Sequence, residues 1–197
     1  VKNRIKGARI MLKKTYEQLI EGQGKNLALL PIEKAYVEKQ GLSAEATEKE
    51  LSVTVLERLN KETEELIAEE GQEFLATKIS FLKEHQEQFI YAEMTELDHI
   101  RTDAFALEFD EVFKTYTAMF AIALEKKYKA DIQAHLLSHL DIEAYKSSVA
   151  FADKEGVWEM NISLDSMNDF NEEMTFQEVY TLLYNFNFSL LVKIEQA

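Results

Sequence analysis

Residues that break regular structure are scarce in this chain, which contains six glycines and one proline among its 197 residues. The long segments between them are rich in glutamate, lysine, leucine and alanine, which are good helix formers. Few breakers and such a composition favour long helices over short strands joined by tight turns. The sequence therefore predicts a mainly α-helical fold, a bundle of about six helices with a small β-hairpin before the C-terminal helix.

The overall composition is that of one folded domain. Hydrophobic residues make up 46% of the chain and charged residues 29%, which is too apolar for a disordered protein. A chain of this length can bury a sizeable core, and no repeat or long flexible linker divides it. We therefore expect a single helical domain over residues 1–197, with the hairpin at about 148–164 as an appendage.

Turn-forming residues divide the N-terminal part into three predicted helices. The first runs from about residue 3 to 21, and the second begins at Pro31 and ends near Gly41. A third, strongly charged helix is predicted from Ser43, a candidate N-cap, to Gly71. The segment LSVTVL inside it alternates like a strand, but the flanking charged residues continue without a turn signal, which favours a helix.

Apolar stripes predict three further helices, over residues 72–92, over residues 103–128 and from Thr175 to the C-terminus. The middle one contains YTAMFAIAL, which is apolar nearly all round, as expected of a central helix surrounded by others. The last one has the clearest start, because Thr175 and Glu178 have the spacing of a capping box. Its many aromatic residues are typical of a helix that packs in a core.

Between the last two helices the apolar pattern changes from a helical period to strict alternation. The segment SSVAFADKEGVWEMNISLD predicts two strands, at about 148–152 and 157–164, joined by a short turn that ends at Gly156. A lone two-stranded hairpin is only marginally stable in water. We therefore expect its apolar face to cover helices, or its edge to pair with that of another subunit.

Charge is unevenly distributed along the chain, whose net charge is −14. The first 20 residues contain six basic residues and one acidic residue, Glu17, which gives this segment a net charge of about +5. The basic residues are Lys2, Arg4, Lys6, Arg9, Lys13 and Lys14. We interpret this segment as a basic helix lying against an acidic partner helix, of the same chain or of another subunit. A nucleic acid or an anionic lipid is the alternative partner, but the overall charge and the lack of interleaved aromatic residues argue against both.

The absence of cysteine excludes several chemistries at once: disulfides, thiolate zinc sites, iron–sulfur clusters and cysteine nucleophiles. It also fits a reducing compartment. The N-terminal segment lacks the apolar core of a signal peptide, and no run of 18 apolar residues occurs. We therefore expect a cytoplasmic protein without a membrane partner.

Known catalytic and cofactor motifs are not matched. The segment EGQGKN, residues 21–26, lacks the preceding strand and the spacing of a nucleotide-binding loop. No Gly-x-Ser-x-Gly sequence is present, which removes the usual serine hydrolase elbow. The acidic segment LDSMNDFNEEM places methionine where a calcium-binding loop needs oxygen ligands. No cofactor is therefore predicted from these motifs.

One segment, ADIQAHLLSHLD, has the spacing of metal ligands. Asp131, His135 and His139 follow one another at steps of four residues, which places them on one side of a helix. Upstream, Glu96 and His99 form a Glu-x-x-His pair of the kind that helical bundles use for iron or manganese. Together these five residues predict a divalent metal site for zinc, iron or manganese.

Two observations favour a structural role for the same residues. Only one Glu-x-x-His pair is present, whereas a di-iron bundle needs two. On a helical wheel, His135 and His139 lie at the shoulder of the apolar stripe, where histidines commonly border the core. A pH-sensitive contact is a third interpretation, because histidine titrates near neutral pH.

Since no catalytic motif is complete, we expect a cytoplasmic, non-enzymatic interaction or structural protein that acts as a homo-oligomer. The competing hypothesis is a metal-dependent helical-bundle enzyme that uses His99, His135 and His139. A third hypothesis is a regulatory protein that binds nucleic acid through the basic N-terminal helix.

Overall fold

The fold is mixed α/β, with a large antiparallel sheet at its centre, and the prediction of a mainly helical bundle is wrong. The computed structural model describes residues 12–24, 27–42, 45–142 and 147–196. Its helices and strands are α1 (Leu12–Gln23), β1 (Ala28–Leu29), α2 (Pro31–Lys39), β2 (Thr47–Glu48), β3 (Val53–Asn60), β4 (Leu66–Glu69), α3 (Phe81–Glu84), β5 (Gln88–Met94), β6 (Thr102–Asp110), β7 (Thr115–Ile122), α4 (Lys129–His139), β8 (Ser148–Ala152), β9 (Val157–Ser163) and α5 (Phe176–Gln196). Short 3-10 helices lie at Gln72–Ala76, Thr95–Ile100, Lys126–Tyr128 and Leu164–Ser166.

Seven strands form one antiparallel sheet in the order β4-β3-β5-β6-β7-β9-β8. Side chains along β5 alternate strictly between buried and half-buried, which is the pattern of a sheet with one face in the core. The opposite face, here called the open face, is mostly half-buried or exposed, although Thr115 and Ser163 on it are buried. One row across it, taken from the strand register, is Tyr91, Ala106, Met119, Asn161 and Ser148.

The core lies between the other face of this sheet and the longest helix, α5. Phe105 of β6 stacks on Tyr180 of α5, with ring centroids 6.1 Å apart. Most residues of α5 are buried, and besides the sheet this helix contacts α1, α4 and the 3-10 helices Gln72–Ala76 and Thr95–Ile100. Within the described part of the chain, no helix combines the length and apolar character needed to cross a lipid bilayer.

The predicted helix from Ser43 to Gly71 is wrong, since this region forms β2, β3 and β4. The alternation of apolar and polar residues in LSVTVL correctly indicates a strand, since β3 pairs with β5 along most of its length. The turn between β3 and β4 contains no glycine. Instead, Glu64 takes up the left-handed conformation with a φ of 56°. The missing turn signal made two charged strands resemble one charged helix.

The predicted helices at 72–92 and 103–128 are wrong for a related reason. Most of residues 103–128 belong to the hairpin of β6 and β7, which ends at Ile122 and in which Lys114 supplies the left-handed turn residue with a φ of 57°. The strand TYTAMFAI looks apolar all round because apolar residues, Met119 and Ala121, also occupy its open face, where both are half-buried. Residues 72–92 divide into a 3-10 helix, the single turn α3 and part of β5.

Three local predictions are confirmed. The strands at 148–152 and 157–163 form the predicted hairpin, with Gly156 in the left-handed conformation at a φ of 70°. This hairpin is the edge of the large sheet rather than an appendage on helices. Helix α5 begins with the predicted capping box, in which the Thr175 amide donates to the Glu178 carboxylate at 2.7 Å. Helix α2 begins at Pro31 as predicted.

The predicted basic N-terminal helix is described only in part. Residues 12–23 form α1, in agreement with the second half of the prediction. The first 11 residues, and with them Lys2, Arg4, Lys6 and Arg9, lie outside the described residues.

Candidate functional site

The two histidines of the predicted metal face lie together at the contact between α4 and α5. Their rings are 4.0 Å apart, and His135 is almost fully buried. The Nε2–H group of His135 donates to the carbonyl oxygen of Phe186 at 2.9 Å. His139 donates from Nδ1 to the carbonyl oxygen of His135, also at 2.9 Å. The ring of His135 therefore links α4 to α5, and the ring of His139 caps a carbonyl in the last turn of α4.

The protonation of His135 follows from this position. Burial, with smaller contributions from the neighbouring His139 and the charge of Lys193, lowers the pKa of His135 to about 4. The hydrogen bond to Phe186 acts in the opposite direction but is outweighed. His135 is therefore neutral at physiological pH and fits the structural interpretation of the pair. Asp131 lies half-buried in the first turn of α4, where a carboxylate suits the helix dipole.

The other predicted ligands, Glu96 and His99, lie on the 3-10 helix Thr95–Ile100 and contact different partners. Lys49 donates to Glu96 Oε1 at 2.6 Å, while Oε2 of this buried carboxylate has no partner within the described residues. His99 binds Glu33 of α2, with 2.6 Å between Nδ1 and Oε1. Each of the two residues thus belongs to an ion pair with a neighbouring segment.

The structure separates His99 from the other two histidines. Tyr184 and Phe186 are two residues apart on α5, so their side chains point in nearly opposite directions. His135 contacts Phe186, whereas His99 binds the carboxylate that Tyr184 also contacts. Among the residues that the structure describes, no three His, Asp or Glu side chains are placed to hold a metal ion. The three-histidine metal site stays a prediction, and it would require His99 to leave Glu33.

A buried cluster around Glu33 was not predicted from the sequence. The side chain of Glu33 is fully buried and accepts four hydrogen bonds. Its Oε1 accepts from the hydroxyl of Tyr16 at 2.7 Å, from the hydroxyl of Tyr184 at 2.7 Å and from His99. Its Oε2 accepts from the backbone amide of Leu30 at 2.8 Å. We call Glu33, Tyr16, Tyr184 and His99 the Glu33 cluster.

Hydrogen bonding keeps Glu33 ionised although it is buried. Burial alone would raise the pKa of this carboxyl, but the hydrogen bond and charge of His99 and the two tyrosine hydroxyls lower it below its ordinary value. Burial, together with the charge of Glu33, raises the pKa of both hydroxyls, so they are protonated donors near neutral pH. The cluster is a fully satisfied anion site, which suits a structural role.

The Glu33 cluster ties together four segments of the chain. Tyr16 belongs to α1, Glu33 to α2, His99 to the 3-10 helix before β6, and Tyr184 to α5. A nearby contact strengthens the same junction: the Tyr36 hydroxyl donates to Glu195 near the end of α5. The only sequence signal for Glu33 was its place in the first turn after Pro31, where an acidic residue is an ordinary helix-start residue.

The sheet has two edges with different chemistry. Edge strand β4 carries exposed Leu66 and Ile67, but glutamates occupy positions 65, 69 and 70 around them. Edge strand β8 has the sequence SVAFA and contains no charged residue. Natural proteins usually protect edge strands with charges, proline or a bulge, because unpaired backbone groups there accept another strand. β8 has none of these features, which makes it the candidate interaction site.

The residues around β8 define its two faces. Val149 and Phe151 lie on the core side, opposite Met160 and Trp158 of β9, and Phe151 packs edge-on against Trp158. Ser148 and Ala150 lie on the open face and are exposed. The strand therefore presents apolar side chains on one face, small ones on the other and its backbone at the edge.

Comparisons with models of known families, with characterised proteins and with solved structures find no match to this chain.

Proposed function

We propose that this chain is a non-enzymatic interaction protein that forms a homo-oligomer, whose basic unit is a symmetric dimer joined through β8. The observation that carries the proposal is the uncharged edge strand Ser148–Ala152, at the end of a seven-stranded sheet. Pairing with a second copy would satisfy its outward backbone groups and continue the sheet across both subunits.

The sequence of β8 is complementary to itself in an antiparallel arrangement. A twofold axis at Ala150 places Val149 of each subunit opposite Phe151 of the other, and Ser148 opposite Ala152. Cross-strand pairs of an aromatic and a β-branched residue are favourable, at about 0.2–1 kcal/mol each. Twofold symmetry is also the commonest form of homo-oligomer, because one surface then serves both partners.

The other edge is less suited to the same arrangement. Antiparallel pairing of two β4 strands about the bond between Ile67 and Ala68 would bring Glu65 of one copy opposite Glu70 of the other. Like charges directly opposite one another are destabilising. In addition, Glu70 already forms an ion pair with Arg58 at 2.7 Å. The charge pattern therefore favours β8 over β4 as the dimer interface.

The proposed dimer is expected to be weak. A pair of five-residue strands buries less surface than a standard stable interface, and the net charge of −14 on each copy opposes association. We expect a dissociation constant on the order of micromolar, which corresponds to about −8 kcal/mol. The absence of cysteine fits the reducing cytoplasm, which we propose as the compartment.

Substitution of Ala150 by lysine should abolish the dimer. Ala150 is exposed on the twofold axis, so Ala150→Lys places two ammonium groups side by side and should weaken association at least tenfold. Light scattering coupled to size exclusion, over a concentration series at about 0.15 M salt, measures the change. The wild-type mass should rise toward that of a dimer with concentration, while the variant stays monomeric.

Ile67→Lys provides the matched control for this experiment, because Ile67 is an exposed apolar residue of the other edge strand. It should leave the concentration dependence unchanged. A wild-type protein that is monomeric at every concentration, or a dimer that Ile67→Lys disrupts and Ala150→Lys does not, would contradict the proposal.

A further inference from the structure

A cleft lies on the open face of the sheet, over β6, β7, β8 and β9. Its volume is about 530 Å³, within the range of pockets that hold small molecules. The lining residues used below are Glu108, Asp110, Thr117, Met119, Ile142 and Asn161. The strand register places Glu108 beside Thr117 and Met119 beside Asn161, so these side chains come from adjacent strands on one face.

The charge of the cleft is entirely negative among its described lining residues. Glu108 and Asp110 are two positions apart on β6, so their side chains point to the same face and their Cα atoms are about 6.6 Å apart along the strand. Burial raises the pKa of Glu108, Lys61 opposes this change and Asp110 adds to it. Lys61 neutralises Glu108 only in part, since its Nζ is 3.8 Å from Oε2 and also donates to the carbonyl of Phe109. A cationic ligand would stabilise this partly dehydrated carboxylate.

A second, independent observation comes from the floor of the sheet beside the cleft. Ser163 is fully buried, and its Oγ has no hydrogen-bond partner within the part of the chain that the structure describes. It pairs with Thr117 across the strands, and its amide donates to Ser147, which also lines the cleft. Buried polar atoms are nearly always paired, so this hydroxyl indicates a missing polar partner on that side.

The cleft is not suited to a metal ion. Oδ1 of Asp110 accepts hydrogen bonds from the amides of Val112 and Phe113, at 2.8 and 2.9 Å, which fixes it at the turn. A divalent ion needs several oxygen ligands that converge within about 2.6 Å of it, whereas these carboxylates are spread along a strand. An elongated ligand with two separated positive charges matches that spacing better.

We propose that the cleft binds an aliphatic diamine or polyamine, with one ammonium group at Glu108 and a second at Asp110. The methylene chain lies along Met119 and Ile142, and the hydroxyl and amide groups of Thr117 and Asn161 accept or donate further hydrogen bonds. Ser148 of β8 also lines the cleft, but the residues assigned to the ligand lie on β6, β7 and β9 and at Ile142. The site goes beyond the proposed homo-oligomer, and either proposal can fail alone.

Titration calorimetry with putrescine and spermidine tests the proposal. The wild-type protein should bind one spermidine per chain with saturable heat, and Glu108→Gln should weaken binding roughly tenfold or more because it removes a charge-assisted hydrogen bond. Glu93→Gln is the matched control: Glu93 is a half-buried carboxylate on the open face whose Oε1 accepts from Tyr91, and it does not line the cleft. It should bind spermidine as the wild type does.

Several results would overturn the proposal. These are no saturable binding of either amine to the wild-type chain, equal affinity in Glu108→Gln, or an equal loss in both variants, which would indicate general attraction to an acidic protein. A second measurement uses the wild-type chain alone, in case Glu108→Gln does not fold. Spermidine should shift the methyl resonance of Met119 in the cleft and leave that of Met160 in the core unchanged. The reverse pattern, or no shift, would also contradict the site.

Discussion

Substitution of Glu33 by alanine is expected to destabilise the protein by about 3–5 kcal/mol, the range found when one partner of a buried ion pair is removed. The loss is large because four donors lose their acceptor together: the hydroxyls of Tyr16 and Tyr184, Nδ1 of His99 and the amide of Leu30. Each buried donor left unpaired costs about 1–3 kcal/mol, and partial relaxation limits the sum. Urea denaturation followed by circular dichroism measures the change.

Two tyrosine variants of α5 distinguish the effect of losing a hydrogen bond to Glu33 from the effect of altered packing. Tyr184 and Tyr180 are both fully buried and lie one turn apart. The hydroxyl of Tyr184 donates to Glu33, whereas that of Tyr180 has no partner within the described residues. Tyr184→Phe should therefore cost about 1 kcal/mol or more, and Tyr180→Phe should be neutral or stabilising. Equal effects of the two variants, or a stable Glu33→Ala protein, would show that the cluster does not hold the fold together.

Mild acid is expected to destabilise the wild-type protein through His135. The pKa of this histidine is about 4 in the folded chain, against 6.5 as its ordinary value. The unfolded chain therefore binds a proton first as the pH falls, and stability is lost between about pH 6.5 and pH 4. The loss from about pH 7.5 to about pH 5 amounts to roughly 2 kcal/mol for this residue. Urea denaturation at the two pH values measures it.

His135→Gln is the informative variant, because an amide can still donate to the carbonyl of Phe186 but does not titrate. It should lose about 2 kcal/mol less than the wild type over the same pH interval. Leu137→Gln, at an exposed position of the same helix, should behave like the wild type. An unchanged pH dependence in His135→Gln would contradict the assignment. Protonation of Glu33 does not contribute to this pH interval. Its pKa is lowered, so the stability that its charge provides is lost only below the ordinary carboxyl pKa.

Local signals in the sequence were sufficient for the elements whose boundaries they mark. The capping box of Thr175 and Glu178, the proline at the start of α2 and the glycine of the β8–β9 turn each have a direct physical meaning at one position. The structure confirms all three. These elements include α5, the main helix of the core.

The large sheet was missed because its turns lack the residues that normally announce them. Glu64, Arg101 and Lys114 adopt left-handed conformations without being glycine or asparagine, at the starts of β4, β6 and β7 or close to them. Bulky residues pay a conformational penalty in this region, so a low glycine count argued for helices. Tertiary pairing of the strands outweighs that local preference.

The candidate sites show the same division between local and long-range information. Spacing alone singled out Glu96 and His99, and both residues do form buried or half-buried ion pairs. Their partners, Lys49 and Glu33, lie 47 and 66 residues away along the chain. No periodicity in the sequence connects positions that far apart, because only the folded chain brings them together. Pairing of the hairpin edge with another subunit is one alternative that the sequence predicts, but the position of β8 at the end of a seven-stranded sheet depended on the order of all seven strands.

Disulfide cross-linking of Ala150→Cys tests the proposed dimer most directly, because the natural chain contains no cysteine. In an antiparallel pair centred on this residue, the two Cα atoms lie about 4.5–5.5 Å apart, within the range that a disulfide spans. Mild oxidation should convert most of the Ala150→Cys chains to covalent dimers, while Ile67→Cys on the β4 edge stays monomeric. Equal cross-linking of both variants, or none at Ala150→Cys, would contradict the pairing of β8 with β8.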